Sequence, residues 1–537
     1  MASHPSRADY IIIGGGTAGL VVANRLAENP NIEVLVLEAG PDRTSEGRVQ
    51  DPAAWPTLTG SDVDWQFQTV PQPGLNNRHQ DQPAGRVLGG TSSISGLAFV
   101  PPSPAGIDAW EALGNPGWNW SNLSLALERS FHTSLPADSA LPAHPANGPV
   151  AVTYPALSTP GNHPLIDAWN NTLAAQGYPF RDTFLPTPTT TGTRPYTAAI
   201  TPGGLRSAST HYTTPRPNLH ILTNTPVERI LFDPSTSPMT ATGVLLHNNP
   251  DPITATKEVI LAAGAFQTPK LLELSGIGSA SLLTTHNIPC LIDHPSVGEN
   301  LQNQLLAILP IPVKASPDTA GLTPGIQALA FVRSGSEADL LSQHGHGIPP
   351  PLHTLLSTDT EPTACTFLTT LSPSIALLGL IPSYPLSRGS VHISSPHPDE
   401  KPTIDPNFFS HPLDLPLMAS HFRNLQSLPS TSPLNEFLIP PPNLPAEALD
   451  LAILQEVLKA SALATHHACG TAVMAPKEEG GVVDSQLRVY GTANLRVVDA
   501  SIFPVGAVAY PIATVYGVAE RAAELIAGEG ERGPVGL

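Results

Sequence analysis

Charge is scarce in this chain. Only 13% of its 537 residues are Asp, Glu, Lys or Arg, and 44 acids against 25 bases leave a formal net charge of −19. A chain so poor in cations argues against nucleic acid or an anionic membrane as partner. Cysteine is rarer still. Cys290, Cys365 and Cys469 lie far apart and are odd in number, so no disulfide framework or zinc spacing exists, which fits a reducing compartment. Long apolar runs are missing too: the run Ile375 to Ile381 is short and bounded by prolines, too little to span a bilayer. The segment Met1-Ala2-Ser3-His4-Pro5-Ser6-Arg7 has no apolar core of a secretory signal, and Pro534-Val535-Gly536-Leu537 is not a peroxisomal tripeptide. A cytoplasmic location is the expectation. Three sequons, beginning at Asn119, Asn122 and Asn170, stand against it.

What the chain has in quantity is length and proline. Its 537 residues exceed one compact core, so two large domains are expected, with interleaving allowed. The 61 prolines, about twice the usual frequency, are spread throughout and mark short helices and stiff loops rather than one disordered tail.

The N-terminal forty residues are the most informative. An apolar run, Tyr10-Ile11-Ile12-Ile13, leads into Gly14-Gly15-Gly16-Thr17-Ala18-Gly19 and a helix-like segment; a second run, Val34-Leu35-Val36-Leu37, ends in Glu38. This is a βαβ unit with a nucleotide at its first turn. Gly14 permits the tight turn, Gly16 lets a pyrophosphate approach the backbone, and Gly19 lets helix and strand pack closely. The N–H groups of the helix start, at Thr17 and Ala18, hold the diphosphate. Glu38 stands where a carboxylate accepts hydrogen bonds from ribose hydroxyls. The unit alone does not separate NAD from FAD.

Three blocks carry glycine turns and doubly buried strand runs: the first hundred residues, about 215–305, and the last seventy. Between them, Pro-, Ser- and Thr-rich segments alternate as half-buried antiparallel strands do, Val391-His392-Ile393-Ser394 being one. The predicted fold is α/β plus α+β. A Rossmann-like dinucleotide domain is built from discontinuous segments 1–150, 211–310 and 465–537, and 151–210 with 311–464 form a substrate domain containing an antiparallel sheet.

Gly85-Arg86-Val87-Leu88-Gly89-Gly90-Thr91-Ser92-Ser93 resembles the first signature of the glucose–methanol–choline (GMC) flavin oxidoreductases. Gly264-Ala265-Phe266-Gln267-Thr268-Pro269-Lys270-Leu271-Leu272-Glu273-Leu274-Ser275-Gly276-Ile277-Gly278 resembles the second, with a helix start expected at Thr268-Pro269. Arg388-Gly389-Ser390 followed by Pro402-Thr403-Ile404-Asp405-Pro406, and then His467 through Glu520, are similar to the family's C-terminal region. The match runs from about residue 9 to 528 in the family's order.

The resemblance implies FAD as cofactor. Gly90, Thr91, Ser92 and Ser95 would lie against the isoalloxazine, Val227 against adenine, and Asp499 with Ala500 against the ribityl or diphosphate. Pro511 and Ile512 open a final helix whose positive end faces the flavin pyrimidine edge. Its expected apolar stripe is Ile512, Val515, Val518, Ala522 and Ile526. A noncovalent flavin is expected, with His79 the residue that leaves covalent attachment open.

His467-Ala468-Cys469-Gly470-Thr471 resembles the family's His-x-x-Gly-Thr segment, which makes His467 the expected general base and His466 the register alternative. The second catalytic position departs from the family: Tyr510 stands where His or Asn is usual, and Ser95 where Asn is usual. A phenol with a reference pKa near 10 is a poor resting base. The implied function is FAD-dependent oxidation of an alcohol on a small, fairly apolar molecule, with molecular oxygen as an acceptor and specialised metabolism as the analogous setting. The alternative is a lyase or isomerase that retains FAD and uses His467 and Tyr510 for acid–base chemistry without net redox.

Overall fold

The computed structural model describes residues 5–135, 139, 141–157, 163–314, 325–440 and 450–532, with side chains of the last helix to residue 528. Residues 1–4 and 534–537, on which the readings of both termini partly rest, lie outside them.

Strand Arg7–Ile13 runs parallel to Val34–Leu37 on one side and to Ile253–Leu261 on the other, Ile11 facing Leu35 and Val259. Its apolar run is continuous because both faces are covered; Ile11, Ile12 and Leu35 are wholly buried. Leu219–Leu222 pairs with Val34–Leu37, and Leu495–Val497 pairs parallel with Ile253–Leu261. Thr240–Leu246 and Val227–Asp233 then extend the sheet antiparallel, giving seven strands. Pieces from three distant parts of the chain thus build one sheet.

Helix Thr17–Leu26 packs against the final helix, Ile512–Arg532. The Arg25 guanidinium meets the buried Glu520 at 2.8 Å, and the Tyr212 hydroxyl donates to the same carboxylate at 2.7 Å. On the last helix Val518, Ala522 and Ile526 are buried while Glu524 is exposed, so the 3.6-residue period sets which side faces the core.

The second layer is a six-stranded antiparallel sheet ordered Leu463–Ala464, Leu305–Pro312, Ile375–Pro382, Ala364–Ser372, Gly325–Val332, Gly192–Pro195. Its residues alternate between two faces. Leu368, Leu378 and Leu380 join Met418, Ala419 and Phe422 of helix Asp414–Ser427 in one core cluster. Phe367, Leu377 and Ile381 point the other way, into a cavity.

Three details differ from the sequence expectations. One strand of the antiparallel sheet, Leu305–Pro312, starts within the 211–310 segment. Ser390–His392 pairs with Thr403–Asp405 in a separate ribbon, pinned to the nucleotide side where Glu273 accepts from Ile393 N–H at 2.7 Å and contacts His392 Nδ1 at 2.7 Å. The helix of the second signature runs Gly264–Leu274, so it starts ahead of Thr268 and holds Pro269 inside. Proline there withholds the N–H that Ala265 C=O would accept. The Thr471 hydroxyl donates to that carbonyl instead, at 2.6 Å, which lets the helix continue.

Candidate active site

A cavity of about 1140 Å³ lies between the two sheets. It exceeds the ~300–1,000 Å³ of ordinary small-molecule sites, leaving room for an extended ligand and a second molecule. Of the residues singled out in the sequence, it brings together Gly14, Gly16, Thr17, Ala18, Glu38, Gly90, Thr91, Ser95, Val227, Asp499, Ala500, Pro511, Ile512, His467 and Tyr510. Gly19 and Ser92 are not on its wall. Gly19 packs on the Gly14 carbonyl, where a Cβ would not fit. The Ser92 hydroxyl is turned inward, donating to Gly89 C=O at 2.6 Å and accepting from Ser209 N–H at 3.0 Å. Its side chain holds the turn in shape rather than facing a ligand.

The glycine turn forms the cradle. Gly14 sits at φ 108°, a conformation costly for any other residue, and a Cβ there would strike the Ala262 carbonyl. Gly90, at φ 53°, approaches so closely that its Cβ would stand 2.7 Å from Gly16 Cα. No side chain caps helix Thr17–Leu26, so its first N–H groups are free to bind an anion. Glu38 accepts from Gly15 and Gly40 N–H, both at 2.8 Å, one on each oxygen. A carboxylate oxygen has further lone pairs, so ribose hydroxyls can donate to the same group. Burial pushes its pKa up to about 7 despite those two bonds.

Asp499 both caps the turn Ala500–Ile502, by accepting from Ser501 N–H, and ties in the second signature by accepting from Gly264 N–H at 2.9 Å and the Thr268 hydroxyl at 2.7 Å. Burial raises its pKa. Two cations on this part of the wall escaped the sequence reading. Arg86 stacks over Trp65 at 4.9 Å, and Lys270 donates to the Pro398 and Glu400 carbonyls. Both stood inside quoted signatures, but nothing local showed which way they point.

At the other end lies His467. Its Nδ1 is 2.8 Å from Gln304 Oε1, and its backbone N–H donates to Asn303 Oδ1. The Gln304 amide nitrogen faces three carbonyls, of Pro382, Ser383 and Ala507, at 2.8–3.1 Å. Only the NH₂ end can sit among three acceptors, so the oxygen must face His467. Nδ1 therefore carries the proton, and Nε2 keeps a lone pair. The ring is half-buried, its open side toward the cavity. Burial, with His466 adding in the same sense, pushes its pKa down to about 3, so the imidazole is neutral at physiological pH. Gln304 was missed in the sequence because it lies 163 positions away with no motif of its own.

Tyr510 packs edge-on against His467, ring centroids 5.5 Å apart. It is held at φ 27° directly before Pro511, a strained backbone of the kind found at functional positions. Burial raises the phenol pKa well above its usual value, with Cys365 and Tyr196 pushing the same way. Among the described residues its hydroxyl has no hydrogen-bond partner. The neighbour His466 also lines the cavity, but more exposed than His467, and His79 binds Thr69 C=O through Nδ1 away from the cavity wall. No group of metal-ligating side chains occurs among the described residues.

A glycine cradle, an uncapped helix and a buried acid at one end, with a neutral histidine at the other, define a dinucleotide-dependent enzyme of two interleaved layers. Comparison with known proteins narrows this. Family models described as GMC oxidoreductase match residues 8–306 and 385–519, and the chain belongs to that family. It is 32% identical to the GMC oxidoreductase family protein Mala s 12 of Malassezia sympodialis, over 97% of this chain and 92% of that one. It is 34% identical to the glucose oxidase-like protein fsoC of Humicola fuscoatra, over 97% and 95%. Among solved structures, an FAD-dependent oxidoreductase from Chaetomium thermophilum superposes with a TM-score of 0.88, at 28% identity over 98% of this chain and all of that one. A fungal aryl-alcohol oxidase gives 0.83 at 27% identity, over 98% and 100%. The protein is an FAD-dependent oxidoreductase, and the cradle suits that cofactor: an anion site, a free-sided carboxylate and closely apposed glycine backbones.

Proposed function

We propose that the protein oxidises an alcohol group on a small, uncharged, fairly apolar molecule, with His467 as general base. The observation that carries this is the Gln304–His467 hydrogen bond, which fixes the tautomer with Nε2 as acceptor. Bound FAD supplies the hydride acceptor. Gly14, Gly16, Thr17, Ala18, Glu38 and Asp499 would hold its sugar and diphosphate, Val227 its adenine, and Thr91, Ser95, Pro511 and Ile512 its ring. His467 Nε2 takes the hydroxyl proton as the carbon is oxidised; the ring rests unprotonated with that lone pair available, and the same burial makes it a weaker proton acceptor than a free imidazole. Tyr510 donates a hydrogen bond that orients the alcohol.

The walls support an uncharged substrate. The charged side chains lining the cavity, such as Glu38, Arg86, Lys270 and Asp499, belong to the cofactor end. The six-stranded sheet contributes only uncharged ones, among them Leu306, Ile326, Phe367 and Leu377. A charged substrate would be desolvated there without a partner. The likeness to an aryl-alcohol oxidase agrees. The redox-neutral lyase or isomerase is disfavoured because burial raises the phenol pKa further, which makes Tyr510 a weaker acid and leaves still less phenolate to act as a base at rest. Oxygen as final acceptor and a cytoplasmic location complete the proposal. His467→Ala should keep FAD and fold while losing roughly a hundredfold or more in turnover, and His466→Ala should lose much less. The reverse pattern would reassign the base.

A further inference from the structure

Phe367 and Gly379 face each other across neighbouring strands of the six-stranded sheet. Residues 377, 379 and 381 share one face, and Leu377 and Ile381 both line the cavity. The Phe367 ring lies on this same face. A Cβ on Gly379 would fall on the tip of that ring, so the ring fills the space that any other residue at 379 would claim. Phe367 is 7% exposed, so what it shows is a surface toward the cavity rather than a side chain standing in it.

One repeat back along the same strand face is Cys365, paired with Ile381, which lines the cavity as Tyr510 does, and close enough to the phenol to act on its pKa. A spacing of two residues is roughly 7 Å. The ring therefore lies where the body of a molecule would rest with its reacting end between Tyr510 and His467.

Resting on the proposed function, we infer that the Phe367–Gly379 pair determines substrate size. Gly379 lets the ring lie down, and the lowered ring deepens the apolar end of the cavity enough for a bulky uncharged body. The two strands are locked by pairing from Ala364–Pro382 through Ser372–Ile375, so they cannot part to admit a side chain at 379. In Gly379→Ala the ring must lift into the cavity and shorten it.

The test is binding rather than turnover. Wild-type holoenzyme, Gly379→Ala, Phe367→Ala and the double variant are titrated with phenol and with 1-naphthol, followed by perturbation of the bound flavin's spectrum. Gly379→Ala should weaken 1-naphthol by about tenfold or more while changing phenol by less than about threefold, in keeping with the cost of a lost methylene's room in an apolar pocket. Phe367→Ala should shift the preference toward 1-naphthol, and the double variant should restore 1-naphthol binding, because the clash is gone. If Gly379→Ala does not fold, the Phe367→Ala preference decides alone. Equal weakening of both probes, no effect on either, or no binding of either to wild type would overturn the assignment. Size discrimination that behaves as described, with no alcohol able to reduce the flavin, would leave this pair standing and refute the proposed activity instead.

Discussion

Gln304 presents its side-chain oxygen to His467 Nδ1 at 2.8 Å while its amide nitrogen is held among three backbone carbonyls. The glutamine cannot turn over without setting its oxygen against those carbonyls, so the histidine has one tautomer available.

Gln304→Leu should therefore keep FAD but release the imidazole. The expected loss in kcat is about ten- to a hundredfold, the equivalent of one buried hydrogen bond of 1.5–3 kcal/mol, with little change in KM. Wild-type kcat/KM should have no acidic limb between about pH 5 and 8, because the base, with a pKa near 3, is already deprotonated throughout. A limb near 6.5 would show an unburied histidine.

Glu38 should make FAD binding depend on pH. In the protein without cofactor its pKa is raised to about 7, while hydrogen bonds from ribose hydroxyls favour the charged form. Binding then lowers the pKa and releases a proton. Affinity should rise with pH up to about 7 and level off above. Glu38→Ala should weaken FAD by about 1–3 kcal/mol and flatten the curve. Titration of the apoprotein by flavin fluorescence from pH 5.5 to 8.5 checks both; a flat wild-type curve would contradict the role.

Thr471 and Pro269 should be coupled. Thr471→Val leaves the Ala265 carbonyl without its donor and should cost about 1–3 kcal/mol in unfolding free energy. Adding Pro269→Ala restores an N–H to the helix and should recover much of that loss. Additive effects in denaturant melts would mean that the hydroxyl does not stand in for the missing amide.

This pair also shows where sequence reading ends. The glycine turn was legible because Gly14, Gly16 and Glu38 act within one local βαβ unit, whose spacing the chemistry dictates. The start of the second-signature helix was misplaced because Thr-Pro is a good local start signal, and the hydroxyl that makes an internal proline tolerable lies 206 positions from the carbonyl it serves. Gln304 and the Phe367–Gly379 pair were invisible for the same reason. Their partners are set by sheet register and by packing between the two layers, neither of which leaves a local motif. Ser92 was legible as part of the turn, but not the direction its hydroxyl takes.

The flavin spectrum during anaerobic mixing with uncharged primary alcohols tests the central claim most directly. The account predicts that a suitable alcohol bleaches bound FAD in the wild type. Bleaching should persist in Tyr510→Phe at a rate lower by about 1–2 kcal/mol in barrier, and nearly vanish in His467→Ala. Steady turnover of substrate with the flavin oxidised throughout, and its loss in Tyr510→Phe, would contradict it and establish redox-neutral acid–base chemistry in its place.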